Sequence, residues 1–369
     1  MMDYNTIIND DCLHAMQGLE DNTIDSIVTD PPYGLSFMGK DWDHGIPGVV
    51  FWQEALRIAK PGCHLLAFGG TRTFHRLAVA IEDAGWEIRD TVMWVYGSGF
   101  PKSLDVSKAI DRQAGAEREV VGRYRAAQQS NNCGTSFNAS NADEKGVTYA
   151  LITAPATPEA VRWNGWGTAL KPAWEPIVLA RKPLIGTVAQ NVLEHGTGAL
   201  NIDGCRVGTE TMTEGRATPS GSGCYQWNKE KCKADKLNDP IQHIGRFPAN
   251  LIHDGSDEVE AVFPKNASRF FYCAKASKSE RGEGNNHPTV KPLALMRYLC
   301  RLVTPPDGVV LDPFCGSGST LVGALQEGFR YIGIEKDPDY VNIAYARTKH
   351  ALKEWGRKSR QQVLQEVVS

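Results

Sequence analysis

Two short stretches combine residue types and spacings that could do chemistry. The first is Thr29-Asp30-Pro31-Pro32-Tyr33-Gly34, directly after the apolar run Ile24–Val28. Two consecutive prolines fix φ and supply no amide N–H, so the turn is rigid and its carbonyls stand out as bare acceptors. Asp30 adds a carboxylate and Tyr33 an aromatic face. A carboxylate, a fixed carbonyl and a ring can together hold a planar base by its exocyclic amino group. Asp30, Pro31, Pro32 and Tyr33 are therefore the candidate catalytic residues. The bland alternative is an ordinary Asp-Pro turn that closes a strand.

The second stretch is Val309–Thr320, in which an apolar run ends at Asp312 and continues as Pro313-Phe314-Cys315-Gly316-Ser317-Gly318. Gly316 and Gly318 let a ligand approach the backbone closely, and the helix start behind them offers free N–H groups to an anion. About twenty residues on, the run Tyr331–Ile334 ends in Glu335, an acid that can accept hydrogen bonds from both hydroxyls of a ribose. A dinucleotide fingerprint would want a third glycine at position 321, which is Leu. A NAD-dependent oxidoreductase is thus the more distant alternative, and it leaves Asp30–Tyr33 unexplained.

Both stretches need a scaffold that brings strand ends together. Thr6–Asn9, Ile24–Thr29, His64–Phe68 and Thr91–Val95 read as strands, with helical periodicity at Phe51–Ala59 and Arg72–Ala84. Pro61-Gly62 is expected to break the chain between the first of these helices and its strand. Strands separated by helices predict an α/β fold, a doubly wound and mostly parallel sheet covered on both faces. From 101 to 286 Gly, Ser, Asn, Thr and Pro accumulate and periodicity fades, apart from a core-strand return near 171–183 that contains Glu175. Order resumes with a helix at Pro292–Val303, a strand at Val309–Leu311, a helix at Ser319–Glu327, a strand at Tyr331–Ile334 and a helix at Pro338–Lys353. The expected division is residues 1–100, a loop-rich insertion over 101–286, and 287–369.

Composition bounds the function classes. At 369 residues, 41% hydrophobic and 22% charged, the chain is neither disordered nor fibrous, and no apolar run is long enough to span a bilayer. Its start lacks the basic and apolar segments of a signal peptide, so a cytoplasmic protein is expected. Nine cysteines without a Cys-x-x-Cys pair read as reduced thiols. Cys205, Cys224, Cys232 and His243 fit no standard zinc spacing, and no metal is expected. Net charge is −3, yet 265–301 carries eight basic side chains against two acidic ones. Such a stretch suits a polyanion on one face, with Lys275, Lys278 and Arg281 as candidate contacts, or is simply solvated.

Taken together, the Asp-Pro-Pro-Tyr turn and the later Phe-x-Gly-x-Gly loop resemble the S-adenosylmethionine-dependent DNA amino-methyltransferases. With the catalytic motif first, the insertion next and the cofactor motif last, the chain resembles their β class, which is circularly permuted relative to other Rossmann-like class I methyltransferases. Asn9–Leu13 and His287-Pro288-Thr289-Val290-Lys291-Pro292 strengthen the resemblance. It implies that Asp312, Phe314, Gly316, Gly318 and Thr320 line the methionine end of S-adenosyl-L-methionine and that Glu335 holds its ribose. Asp11 and Cys12 would lie along the adenine pocket, Asp30 would also border the cofactor, and His287, Thr289 and Lys291 would close its amino-acid end. It further implies double-stranded DNA as partner, base flipping, a target-recognition role for the insertion, often a homodimer and, from Asp as the first residue of the turn, adenine N6 over cytosine N4. A catalytically dead binding module on the same fold has nothing in the intact turn to favour it.

Overall fold

The computed structural model describes residues 4–34, 45–97, 99, 103–125, 149–213, 242–264, 267–274 and 290–368. The first part of the chain runs β1 (Thr6–Asn9), α1 (Cys12–Gln17), β2 (Ile24–Thr29), α2 (Val49–Ile58), β3 (Ala59–Phe68), α3 (Phe74–Asp83) and β4 (Glu87–Val95). The middle contributes α4 (Val106–Gln113), β5 (Val120–Arg125), β6 (Tyr149–Thr153), α5 (Pro158–Arg162), β7 (Trp174–Arg181), α6 (Val188–His195), β8 (Val207–Thr213), β9 (Gln242–Arg246), β10 (Leu251–His253), α7 (Asp257–Glu260) and β11 (Tyr272–Cys273). It closes with α8 (Leu293–Val303), β12 (Val309–Asp312), α9 (Ser319–Gln326), β13 (Arg330–Glu335) and α10 (Pro338–Val368).

Among the described residues nine strands make one sheet, in the order β1-β13-β12-β2-β3-β7-β4-β10-β11. Every neighbouring pair is parallel except the two that involve β7. The central strands are apolar on both faces because helices cover both. Along β3, Leu65 and Ala67 pack with Trp52, Ala55, Leu77 and Ile81 of α2 and α3. Their neighbours Leu66 and Phe68 join Leu295, Met296 and Leu299 of α8 on the opposite face. The same alternation splits Val309 and Leu311 from Val310 in β12. This is an α/β fold, as the alternating elements predict.

Three details depart from the sequence reading. Pro61-Gly62 does not separate a helix from a strand; it lies inside β3 as a bulge, where pairing with β2 shifts register between Ile24 and Ser26. Gly62 takes φ +80° and donates to the Lys182 carbonyl, while the Pro61 carbonyl accepts from buried Asn191. The middle of the chain returns two further strands to the sheet besides β7: β10 pairs with β4, and β11 with β10. At three and two residues these are too short for any periodicity to register. Helix α10 also runs beyond Lys353, to Val368.

Chain direction decides where the site falls. From the central pair β12 and β2 the sheet is built outward in opposite directions, through β13 to β1 and through β3 to the far edge. In such sheets ligands sit beyond the carboxyl ends of the strands where the winding reverses. Those ends carry Asp312 and Asp30.

Candidate active site

Asp312 ends β12 and is 2% exposed. Its carboxylate accepts from the Thr29 hydroxyl at the end of β2 (2.8 Å), from the Thr320 hydroxyl in α9 (2.5 Å) and from the Phe314 N–H (3.1 Å). One buried acid therefore ties both central strands to the glycine loop. Burial pushes its carboxyl up to about 6, against the pull of these hydrogen bonds. A carboxyl raised on folding contributes stability that is present below its unfolded value, roughly pH 4, and lost as pH rises through the folded one. Asp312→Asn cannot ionise, so the stability of the native chain relative to this variant should fall as pH rises from 4 to 7. Thermal unfolding of the pair across that range checks it.

The loop that follows is held from both sides. Gly316 N–H donates to Glu335 Oε2 (2.9 Å), and Asp337 N–H to Glu335 Oε1 (2.8 Å). Burial raises the Glu335 carboxyl. Arg347 of α10 donates to the Ser317 carbonyl (2.6 Å) and to the Ser319 hydroxyl (3.1 Å). Gly318 caps α9 at φ +80°, and a Cβ there would lie 3.0 Å from Ala344 Cβ. The left-handed backbone and the close packing of α10 both call for a glycine here. Gly318→Ala should cost about 1–3 kcal/mol of stability, measurable by urea unfolding.

These strand ends enclose a cavity of about 780 Å³. Of the residues read from sequence as cofactor-binding, Asp11, Cys12, Asp30, Lys291, Asp312, Phe314, Gly316, Thr320 and Glu335 line it, as does Pro32; Gly318 does not. Asp10, Met296 and Tyr340 line it without having been expected to. Asp11 accepts from the Leu13 N–H as the cap of α1, and burial with the Asp11 charge pushes the Cys12 thiol up to about 12, so it stays protonated. A single-ligand site of this size with a few converging polar groups suits a nucleoside-sized cofactor. His287 and Thr289 lie outside the described residues, as do Cys224, Cys232, Lys275, Lys278 and Arg281. Among the described residues no group of three His, Cys, Asp or Glu could hold a metal, and no helix is long and apolar enough to cross a membrane.

At the Asp30 end of the cavity four polar side chains meet. Lys291 Nζ lies 2.8 Å from Asp30 Oδ2 and 3.0 Å from Glu175 Oε2. Tyr33 Oη lies 2.7 Å from Asp30 Oδ1 and 3.0 Å from Glu175 Oε2, and it accepts from Lys291 Nζ at 3.1 Å. The Thr73 hydroxyl, just before α3, holds the Tyr33 carbonyl at 2.8 Å. The Lys291 ammonium also sits 4.8 Å from the centre of the Phe68 ring. Burial opposes its charge, but Asp30 and Glu175 outweigh burial and raise its pKa. Burial, Asp30 and Glu175 all raise the Tyr33 phenol, which remains a donor.

Lys291 thus points its ammonium at the Asp30 turn, although the sequence reading gives it to the amino-acid end of the cofactor. Glu175 has no role in that reading. Its only signal is a carboxylate directly before the apolar run Pro-Ile-Val-Leu-Ala, where burial demands a partner.

The Asp-Pro-Pro-Tyr turn lies beside a nucleoside-sized cavity, both at the carboxyl edge of a mostly parallel sheet. The chain matches the family model of N6/N4 DNA methylases over residues 24–346 and belongs to that family. It is an S-adenosylmethionine-dependent DNA methyltransferase. It is 23% identical to the Type II methyltransferase M.HindIII of Haemophilus influenzae over 388 residues, covering 92% of this chain and 94% of that protein. An 84-residue stretch is 41% identical to the Type II methyltransferase M.ScaI of Streptomyces caespitosus, 23% of this chain and 28% of that one. Among solved structures, the cytosine-N4-specific PvuII DNA methyltransferase aligns with a TM-score of 0.46 and 14% identity, covering 97% of this chain and 93% of that one.

Proposed function

We propose that the protein methylates the N6 amino group of an adenine flipped out of double-stranded DNA, with cytosine N4 as the alternative target. One observation carries this reading: the Asp30 carboxylate borders the cofactor cavity and already holds a nitrogen donor, Lys291, at 2.8 Å. A base amino group is such a donor. Adenine is favoured because Asp is the first residue of the turn, the feature that leans towards N6 in enzymes this chain resembles.

The nucleophile explains the residue types. An exocyclic amino nitrogen is weakly nucleophilic because its lone pair is delocalised into the ring. Asp30 and the Pro31 carbonyl would each accept one of its N–H bonds, which favours tetrahedral nitrogen and aims the lone pair, an effect of orientation and electrostatics. Tyr33 would stack on the extruded base. The bound cofactor supplies a methyl group on a sulfonium. Glu335 and the Gly316 loop would hold its ribose and methionine parts, and Asp11 and Cys12 its adenine.

The insertion would read the recognition sequence, and the basic stretch beside it would hold phosphates. Neutralising Lys275, Lys278 and Arg281 together should weaken binding to all duplexes alike and lower the log–log salt slope by roughly one per lost phosphate contact. Fluorescence anisotropy over a salt series measures this, and an unchanged slope would leave these residues as solvated surface.

The functional reading is tested by transfer of a labelled methyl group from S-adenosylmethionine to unmodified plasmid DNA. Incorporation is expected with the native chain and not with Asp30→Asn. Absence of incorporation into any duplex would reject the reading.

A further inference from the structure

The target amino group needs Asp30, yet the protein's own donors occupy it. Lys291 takes Oδ2 and Tyr33 takes Oδ1. Both donors also lie 3.0 Å from a single other atom, Glu175 Oε2. Glu175 arrives from β7, the antiparallel strand inserted between β3 and β4, whereas Asp30 follows β2 and Lys291 precedes α8. The three groups are largely enclosed, at 20%, 19% and 10% side-chain exposure for Asp30, Glu175 and Lys291.

Enclosure decides what the second carboxylate can do. An ammonium displaced from Asp30 with nowhere to go would be a buried, unpaired cation, which is strongly unfavourable. It would hold to Asp30 and compete with the incoming base. With Glu175 in reach, the ammonium and the phenol can both release Asp30 without losing a charged or hydrogen-bonded partner. We propose that Glu175 is the relief acceptor of the site, drawing Lys291 and Tyr33 off Asp30 when the target amino group enters. Glu175 is thus a positioning residue, which acts through Lys291 and Tyr33. This inference rests on the reading of Asp30 as the acceptor of that amino group.

The sign of the coupling distinguishes this role from a structural one. Glu175→Gln keeps the shape and removes the charge, leaving Lys291 bound to Asp30. Single-turnover methyl transfer at saturating S-adenosylmethionine should fall about thirtyfold or more, while calorimetric affinity for that cofactor stays within about threefold. Equilibrium affinity gives a second readout, using two duplexes that carry the methylated site, one with adenine and one abasic at the target position. In Glu175→Gln the adenine duplex should weaken about tenfold relative to the abasic one. In Glu175→Gln/Lys291→Gln no ammonium remains on Asp30. Transfer should then recover at least about fivefold over the single variant, and the relative affinity should return to within about threefold of native.

A Glu175 that only braces β7 or touches the base predicts a double variant no better than the single one, and that result overturns the proposal. A Glu175→Gln enzyme within about threefold of native overturns it too. If the native chain transfers no methyl group to DNA, the functional reading fails and the proposal with it. If the native chain is active and the coupling is absent, only the proposal fails.

Discussion

Asp30→Ala is expected to lower kcat for methyl transfer by about a hundredfold to a thousandfold while leaving affinity for S-adenosylmethionine within a few-fold. The carboxylate is assigned to the target amino group; the ribose and methionine parts of the cofactor are assigned to Glu335 and the Gly316 loop. The fold should survive the substitution, because the turn is held independently by its two prolines and by the Thr73 hydroxyl on the Tyr33 carbonyl. Lys291 keeps Glu175 as its counter-ion. Single-turnover kinetics and isothermal calorimetry on the same preparation separate the two quantities. Retention of more than about a tenth of native kcat, only about 1.4 kcal/mol of barrier, would take Asp30 out of the catalytic role.

The second large effect is expected at Asp312, on the neighbouring strand end. Asp312→Ala removes the acceptor shared by Thr29, Thr320 and the Phe314 N–H. The hydroxyls can turn to new partners, but the backbone N–H of half-buried Phe314 is fixed in direction, and leaving such a donor unsatisfied costs at most about 1–3 kcal/mol. Losing the tie between β2, the glycine loop and α9 should also displace the loop that carries Gly316. We expect a stability loss of about 3 kcal/mol and at least a tenfold loss of cofactor affinity, with DNA affinity much less affected. Urea unfolding and calorimetry read these out; unchanged values in both would mean that Asp312 neither organises the loop nor matters to the cofactor.

What could be read from sequence was what lies close together along the chain. The Asp-Pro-Pro-Tyr turn and the run from Val309 to Thr320 each put strand end, turn and functional group within a dozen or so residues, so pattern and chemistry coincide. Glu175 was illegible because its role comes from where β7 inserts, 142 residues from Tyr33. Lys291 was read as closing the amino-acid end of the cofactor; it lines the cavity, but no spacing says which way a long side chain will reach. Gly318 reads as a cofactor glycine from the motif; the approach of Ala344 on α10, which also needs a glycine there, is invisible along the chain. Gly316, read from the motif as a point of close ligand approach, also has its N–H held by Glu335. Pro61-Gly62 reads as a break by local chemistry, and the register of β2 against β3 turns it into a bulge.

The central claim is that the Asp30 turn presents its acceptors to an exocyclic amino group of a DNA base. Nucleoside mass spectrometry tests it most directly, on unmodified duplex DNA incubated with the protein and S-adenosylmethionine carrying a trideuterated methyl group. The account predicts deuterated N6-methyladenine as the labelled nucleoside, absent when Asp30 is replaced by alanine. Deuterated N4-methylcytosine would keep the acceptor chemistry and overturn the choice of adenine, whereas label on a ring carbon or no labelled nucleoside at all would contradict the account.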